Sequence, residues 1–331
     1  MDAATLLLTR REVAGLLSLE ECIPLVEEAF RLHAEGKTLL PGMLGVRARE
    51  GGFHIKAAGL HLAKTYIAVK VNGNFPRNPE RHGLPSIQGV IVLCDGENGT
   101  PLAIMDSIEV TILRTGAATA VAARHLARHD SRVATICGCG NQGRIQLKAL
   151  CKVRPIERAY AFDSDETLAR RFAADLSSEL CIEVEPIRDL STGATRSDVC
   201  VTCTPSRRPL LMRQDVMPGT FVAAVGADSP EKQELDPTLL VSNTVVVDLL
   251  TQCEAIGELH HALQEGGMRR TDVHAELGEV VAGMKPGRTS GDEVIIFDST
   301  GTALQDVAAA ALVYEKALSS GHGIALNLVS R

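Results

Sequence analysis

The chain has 331 residues, of which 45% are hydrophobic but only 3% aromatic, and none is Trp. At about 150 residues per domain this predicts two domains around an aliphatic core. With 41 acidic residues against 34 basic ones the net charge is −7; that sign, and so few rings, exclude a base-stacking platform and a broad phosphate-binding surface.

A mean hydropathy of +0.08 with 23% charged residues describes a soluble globular chain. No apolar stretch approaches the length of a membrane span. The start, Met1-Asp2-Ala3, puts an acid where a signal peptide needs a base. Nine cysteines, an odd number, read as the reduced thiols of a cytoplasmic protein.

In chain order, Thr9-Arg10-Arg11-Glu12 and Ser18-Leu19-Glu20-Glu21 have capping-box spacing, and Leu25, Val26, Ala29, Phe30 and Leu32 keep a helical period up to Gly36. Residues 43–72 read as short extended runs broken by Gly51-Gly52 and Gly59, with Thr65–Val71 a strand rich in β-branched residues. A polar loop is expected over Asn72–Pro85, a strand over Ile87–Leu93 and an Ala-rich helix over 108–128. From Ser131 the rhythm becomes βαβ. Strands at 133–137, 159–163, 182–187, 199–204, 221–225 and 245–249, with helices near 142–152 and 166–178, predict an α/β fold with a doubly wound parallel sheet. A strand at Val294–Phe297 leads into a last helix, Thr302–Leu318, that stops near Gly321.

Cys137-x-Cys139 and Cys200-x-x-Cys203 fall in strand-like runs. Residues three apart on a strand face opposite ways, so no metal is expected there. His260-His261 with Glu258 reads as a polar loop.

Gly138-Cys139-Gly140-Asn141-Gln142-Gly143 is GxGxxG, placed directly after an apolar strand and before a helix, and Asp163 ends the next strand. Gly138 permits the tight turn, Gly140 lets backbone approach a pyrophosphate, and Gly143 lets helix and strand pack closely. The N–H groups of the helix start, at Asn141 and Gln142, face the phosphates. Asp163 would accept bonds from the adenosine ribose and repel a 2′-phosphate. NAD(H) is therefore favoured, while the small Ser164 admits NADP(H).

Four further stretches carry a family likeness. They are Lys70-Val71-Asn72-Gly73-Asn74 with Gly83-Leu84-Pro85-Ser86, Leu113-Arg114-Thr115-Gly116-Ala117-Ala118, the run Gly226-Ala227-Asp228 to Leu235, and residues 275–283. By these residues, in this order, the chain resembles the ornithine cyclodeaminase/μ-crystallin family over nearly its whole length. Ile296–Gly301 and the following Gln305-Asp306-Val307-Ala308 lean toward its archaeal-type alanine dehydrogenases. The family also holds Δ1-pyrroline-2-carboxylate and other ketimine reductases.

The resemblance implies a discontinuous α+β substrate-binding and dimerisation domain, residues 1–128 plus 302–331, around a Rossmann domain at 129–301. It implies a homodimer and hydride exchange at the α-carbon of a small amino or imino acid. Matched position by position, Lys70 and Arg114 would hold the α-carboxylate, with Arg47 assisting. Asp228 would be the acid/base and, with Lys70, the catalytic pair. It follows strand 221–225 at the carboxyl edge of the sheet, where α/β ligands bind; a second reading has it capping the Ser229-Pro230 turn. Thr204-Pro205-Ser206 would approach the nicotinamide ribose and Ser86 the nicotinamide amide. Arg114, Thr115, Gly226, Ala227 and Ser299 complete the expected cofactor contacts.

His54 stands where cyclodeaminases carry an acid for the distal amine of ornithine. His54 and Lys56 share a strand face and suit a neutral or acidic side chain. Reduction of α-imino acids, or an alanine-type L-amino-acid dehydrogenase, is thus expected. The alternatives are an ornithine cyclodeaminase with catalytic NAD, or a μ-crystallin-like NAD(P)H-binding protein without turnover. No nucleic acid and no membrane partner is expected.

Overall fold

Both capping boxes form. Thr9 and Ser18 each accept an N–H from the glutamate three residues on and receive its carboxylate in return, starting α1 (Arg10–Leu16) and α2 (Leu19–Ala34). The computed structural model describes residues 4–328, so the reading of Asp2 lies outside the described residues. The extended residues around these helices are β1 (Thr5–Leu8), β2 (Thr38–Ala48), β3 (Gly51–His61), β4 (Thr65–Asn74), β5 (Ile87–Asp95) and β6 (Pro101–Asp106). The glycines expected to break residues 43–72 instead lie within long strands. Gly59, for example, accommodates the Leu39 side chain of its neighbour strand. The predicted polar loop also shrinks, because Asn72–Asn74 belong to β4 and a short helix, α3 (Asn78–His82), occupies the connection.

The chain divides into two units, residues 1–114 with 302–331 and residues 115–301. The first division falls inside α4 (Ile108–Leu126), so residues 115–128 go with the second unit, not the first.

The second unit alternates strands and helices: β7 (Val133–Cys137), α5 (Asn141–Val153), β8 (Arg158–Phe162), α6 (Glu166–Leu180), β9 (Glu183–Ile187), α7 (Leu190–Ala194) and β10 (Val199–Thr202). There follow β11 (Arg207–Leu211), β12 (Phe221–Ala224), β13 (Gln233–Leu235), α8 (Pro237–Val241), β14 (Thr244–Val247), α9 (Leu250–Ile256), α10 (Glu258–Gln264), β15 (Ala275–Glu276), α11 (Leu277–Val281) and β16 (Ile295–Asp298). Eight of these strands form one parallel sheet, ordered β15-β14-β16-β12-β10-β7-β8-β9. The winding reverses between β7 and β10, which is where an open α/β sheet leaves a ligand crevice. Its central strands β10, β12 and β16 are buried along their whole length, as a sheet covered on both faces requires.

The chain then returns to the first unit through α12 (Ala303–Ser320) and β17 (Ile324–Leu326). The first sheet runs β17-β1-β6-β5-β4-β3-β2. One of its faces carries Ala58, Leu60, Ala68, Ile91 and Leu93 and is buried, with α12 across β3, β4 and β5 and α2 against α12. Five of the first nine residues of α12 are Ala, and all nine are buried; the alanines let helix and sheet approach closely. Among the described residues no helix is long and apolar enough to cross a membrane.

Candidate active site

Strand alternation sets the first half of the site. Lys56 and Lys70 are cross-strand partners on β3 and β4, so both side chains leave the same, buried face of the sheet. α4 brings Arg114 to this place and α12 brings Gln305 and Asp306. Lys70 Nζ lies 2.7 Å from Asp306 Oδ2, and Arg114 Nε donates to Asp306 Oδ1 at 3.1 Å. Arg114 Nη1 donates to Gln305 Oε1 at 2.9 Å, and Gln305 Nε2 is buried without a partner. Lys70, Arg114 and Asp306 are all nearly inaccessible to solvent.

Two buried cations therefore share one buried carboxylate. Burial works to raise the Asp306 carboxyl, but Lys70 and Arg114 overcome it and hold it below the usual carboxylate range. The imbalance falls on the lysine: burial pushes Lys70 down to about 7 against the pull of Asp306. Lys56, buried beside Lys70, adds a third cation, so this place holds more buried positive charge than Asp306 balances, an arrangement suited to an anion.

The other expected contacts on this unit are placed as follows. His54 is half-buried on the face of Lys56, and Arg47, paired with Gly52 on that same face, is exposed. The expectation that His54 and Lys56 share a face holds in the register, and Lys56 is buried rather than solvated. Ser86 immediately precedes β5, and its carbonyl accepts the Phe75 N–H.

In the second unit every expected cofactor residue except Thr115, which is buried in α4, lies at the carboxyl ends of the parallel strands. Gly138 follows β7 with φ of +105°, a conformation closed to other residues without strain. A Cβ on Gly143 would lie 2.0 Å from the Gly138 carbonyl, whereas one on Gly140 would meet open space. Gly140 caps α5 with no side-chain bond, which leaves the N–H groups of the helix start to a ligand. Gln142 Oε1 is buried there without a partner. This cradle fits the pyrophosphate of a dinucleotide. Asp163, just past β8, accepts the Cys139 N–H through Oδ2 at 2.8 Å and so holds the glycine turn.

Thr204, Pro205 and Ser206 follow β10, and the Ser206 N–H donates to Thr204 Oγ1. Gly226, Ala227 and Asp228 follow β12. Asp228 is partly exposed and its Oδ1 takes a 2.6 Å bond from Lys232 Nζ, four residues on. Ser299 follows β16, with its hydroxyl bonded to Asp248. The expected His260-His261 loop is a correction: both are on α10, bonded to the carbonyls of Glu254 and Lys232. Their neighbour Glu258 points inward and accepts two backbone N–H groups of β13.

The sequence profile of the ornithine cyclodeaminase/mu-crystallin family matches residues 3–321. The chain belongs to this family. It is 43% identical to the alanine dehydrogenase of Archaeoglobus fulgidus over 96% of this chain and 97% of that one. Among solved structures it is similar to an archaeal alanine dehydrogenase dimer with bound NAD, at a TM-score of 0.94 and 41% identity over 98% of this chain and 100% of that one. It is similar too to the Thermococcus litoralis Δ1-pyrroline-2-carboxylate reductase in complex with NADH and L-proline, at 0.92 and 36%, covering 97% and 99%.

Gln305, Asp306 and Glu234 lie in stretches that carry the family likeness, but nothing in the sequence assigned them a role at the site. The first two lie on an Ala-rich helix, where a lone acid has no local signal; its meaning comes from partners 236 and 192 positions away.

Proposed function

We propose that this chain is an NAD(H)-dependent oxidoreductase that exchanges hydride at the α-carbon of an amino or imino acid, reducing α-imino acids or oxidising an L-amino acid. The observation that carries this is the pair of buried cations on a single carboxylate. A nicotinamide held by the cradle supplies or accepts the hydride. Lys70 and Arg114 bind the substrate carboxylate, and Asp306 keeps both cations in place. Asp228 stabilises the positive charge on the substrate nitrogen and holds its proton. The unit built from both chain ends is the substrate and dimerisation domain, residues 115–301 are the cofactor domain, and the enzyme works in the cytoplasm.

The test is a panel of Δ1-pyrroline-2-carboxylate, its six-membered homologue, and pyruvate with ammonia, each with NADH and with NADPH, followed by nicotinamide absorbance. Stoichiometric oxidation of NADH, faster than of NADPH, is expected. Proline formed from ornithine without net absorbance change would mark a cyclodeaminase. Tight NADH binding with no turnover on any imine would mark a carrier.

Lys70 gives the reaction a pH signature. A lysine depressed to about 7 is cationic below that pH and neutral above it. Carboxylate affinity is thus present at lower pH and lost as pH rises through about 7, so kcat/KM should fall there. Lys70→Arg should remove this limb, because a guanidinium stays charged. A wild-type profile flat from about pH 6 to about 9, or the same limb in the variant, would reject the assignment.

The second face of the first sheet supports a homodimer. Leu7, Leu44, Val46, Phe53, Val90 and Ile324 are exposed on it, an apolar area that a monomer rarely leaves in water. Sedimentation should give twice the 35.3 kDa chain mass. Val90→Asp should shift it toward the monomer, and a monomeric wild type would refute this.

A further inference from the structure

We propose that Glu234 is a positioning residue for the reaction: its carboxylate ties the ends of neighbouring strands β10 and β12 and so sets the spacing of the Thr204 and Asp228 loops. This rests on the oxidoreductase reading above for what those loops do. The geometry stands without it.

Glu234 lies on β13 and is wholly buried. Its Oε1 accepts the Thr204 N–H at 2.6 Å and the Thr204 hydroxyl at 2.7 Å. Its Oε2 accepts the Thr202 hydroxyl at 2.8 Å and the Gly226 N–H at 2.9 Å. The two N–H groups cannot turn round, and there is one on each oxygen. Both oxygens must therefore accept, which the carboxylate does best; an amide would turn its NH2 toward an N–H, and a protonated acid would accept there only through its weaker hydroxyl oxygen. Gly226 has to be glycine for the same reason, since a Cβ there would lie 2.5 Å from Oε2.

The brace has its own anchor. The N–H groups of Glu234 and Leu235 donate to Glu258 Oε1 and Oε2 at 2.7 and 3.1 Å, which fixes β13 to α10 as well as to β11 and Ser206. Neither carboxylate is in an ion pair among the described residues, and burial pushes both carboxyls up. An anion kept in such a place without a cation is a poor stabiliser of a fold. It is a good ruler: through four bonds it holds two loop starts on adjacent strands, and a misplacement of about 1 Å at a reacting centre costs on the order of a hundredfold in rate.

The experiment compares Glu234→Gln and Thr202→Val with the wild type. Thr202→Val keeps the carboxylate and removes one of its four donors, so it reads the brace even if the first variant does not fold. Amide hydrogen exchange is followed over residues 200–206 and 223–228, with 133–143 as reference. Steady-state kinetics and NADH affinity are measured on the same samples. Glu234→Gln should speed exchange of the Thr204 and Gly226 amides by about tenfold or more, as loss of a charge-assisted bond requires, and leave the reference segment unchanged. Its kcat should fall by about ten- to a hundredfold with the imino-acid KM within about threefold. Thr202→Val should move the same quantities the same way by less. Unchanged exchange at both amides overturns the proposal. So does acceleration spread evenly through the unit, or kcat and KM falling together, since each marks a residue that only supports the fold. A wild type that oxidises no NADH with any imine sinks the functional reading, and the exchange result then decides the brace alone.

Discussion

Asp306→Asn is expected to destabilise the first unit by about 3–5 kcal/mol, the usual result of leaving buried charges without their partner. Lys70 and Arg114 both depend on this carboxylate, and an Asn offers one acceptor without charge. Urea denaturation followed on the first unfolding transition measures the loss. Activity should fall with it, because the two cations are no longer held at the positions a carboxylate needs. The triple variant Lys70→Met/Arg114→Met/Asp306→Leu separates the effects. It should regain much of the stability, since apolar replacement of a whole buried charge group is often neutral, while turnover stays lost. A single variant within about 1 kcal/mol of wild type would mean that the cations find other partners, and the charge argument would fail.

Asp228→Asn is expected to lower kcat by about 10²–10⁴-fold, the range of a lost acid/base group, with NADH affinity within about twofold of wild type. The substitution keeps the shape of the side chain and removes its charge. It also frees Lys232 Nζ, whose 2.6 Å bond to Asp228 lies partly in solvent and contributes little to stability. Stopped-flow single turnovers separate hydride transfer from product release. Weakened NADH binding with turnover intact would move Asp228 from the reacting nitrogen to the cofactor.

What the sequence revealed follows the range of the physical signal. Capping boxes act over three residues, and Thr9 with Glu12 and Ser18 with Glu21 form the bonds their spacing predicts. The dinucleotide turn acts over six residues, and the space around Gly138, Gly140 and Gly143 matches the job of each. Strand pairing is longer in range. Gly51, Gly52 and Gly59 look like breaks in one dimension and prove to be positions where a neighbouring strand or side chain comes close. β1 was not foreseen because it is short and its partners, β6 and β17, lie far along the chain; β6, though next to β5, is short and begins at a proline. Asp306 and Glu234 were hidden for the same reason at larger scale. Each lies in a stretch of family likeness that says nothing of its role, and each is defined by the groups that converge on it.

The return of α12 to the first unit has a consequence for how the chain is made. Residues 115–301 are contiguous and can fold as they leave the ribosome. The first sheet has no such freedom: Asp306, which both cations share, is synthesised 236 residues after Lys70 and 192 after Arg114. Until α12 emerges, the apolar face of that sheet has no cover. The charge cluster and the first core are completed in the same event, by one helix.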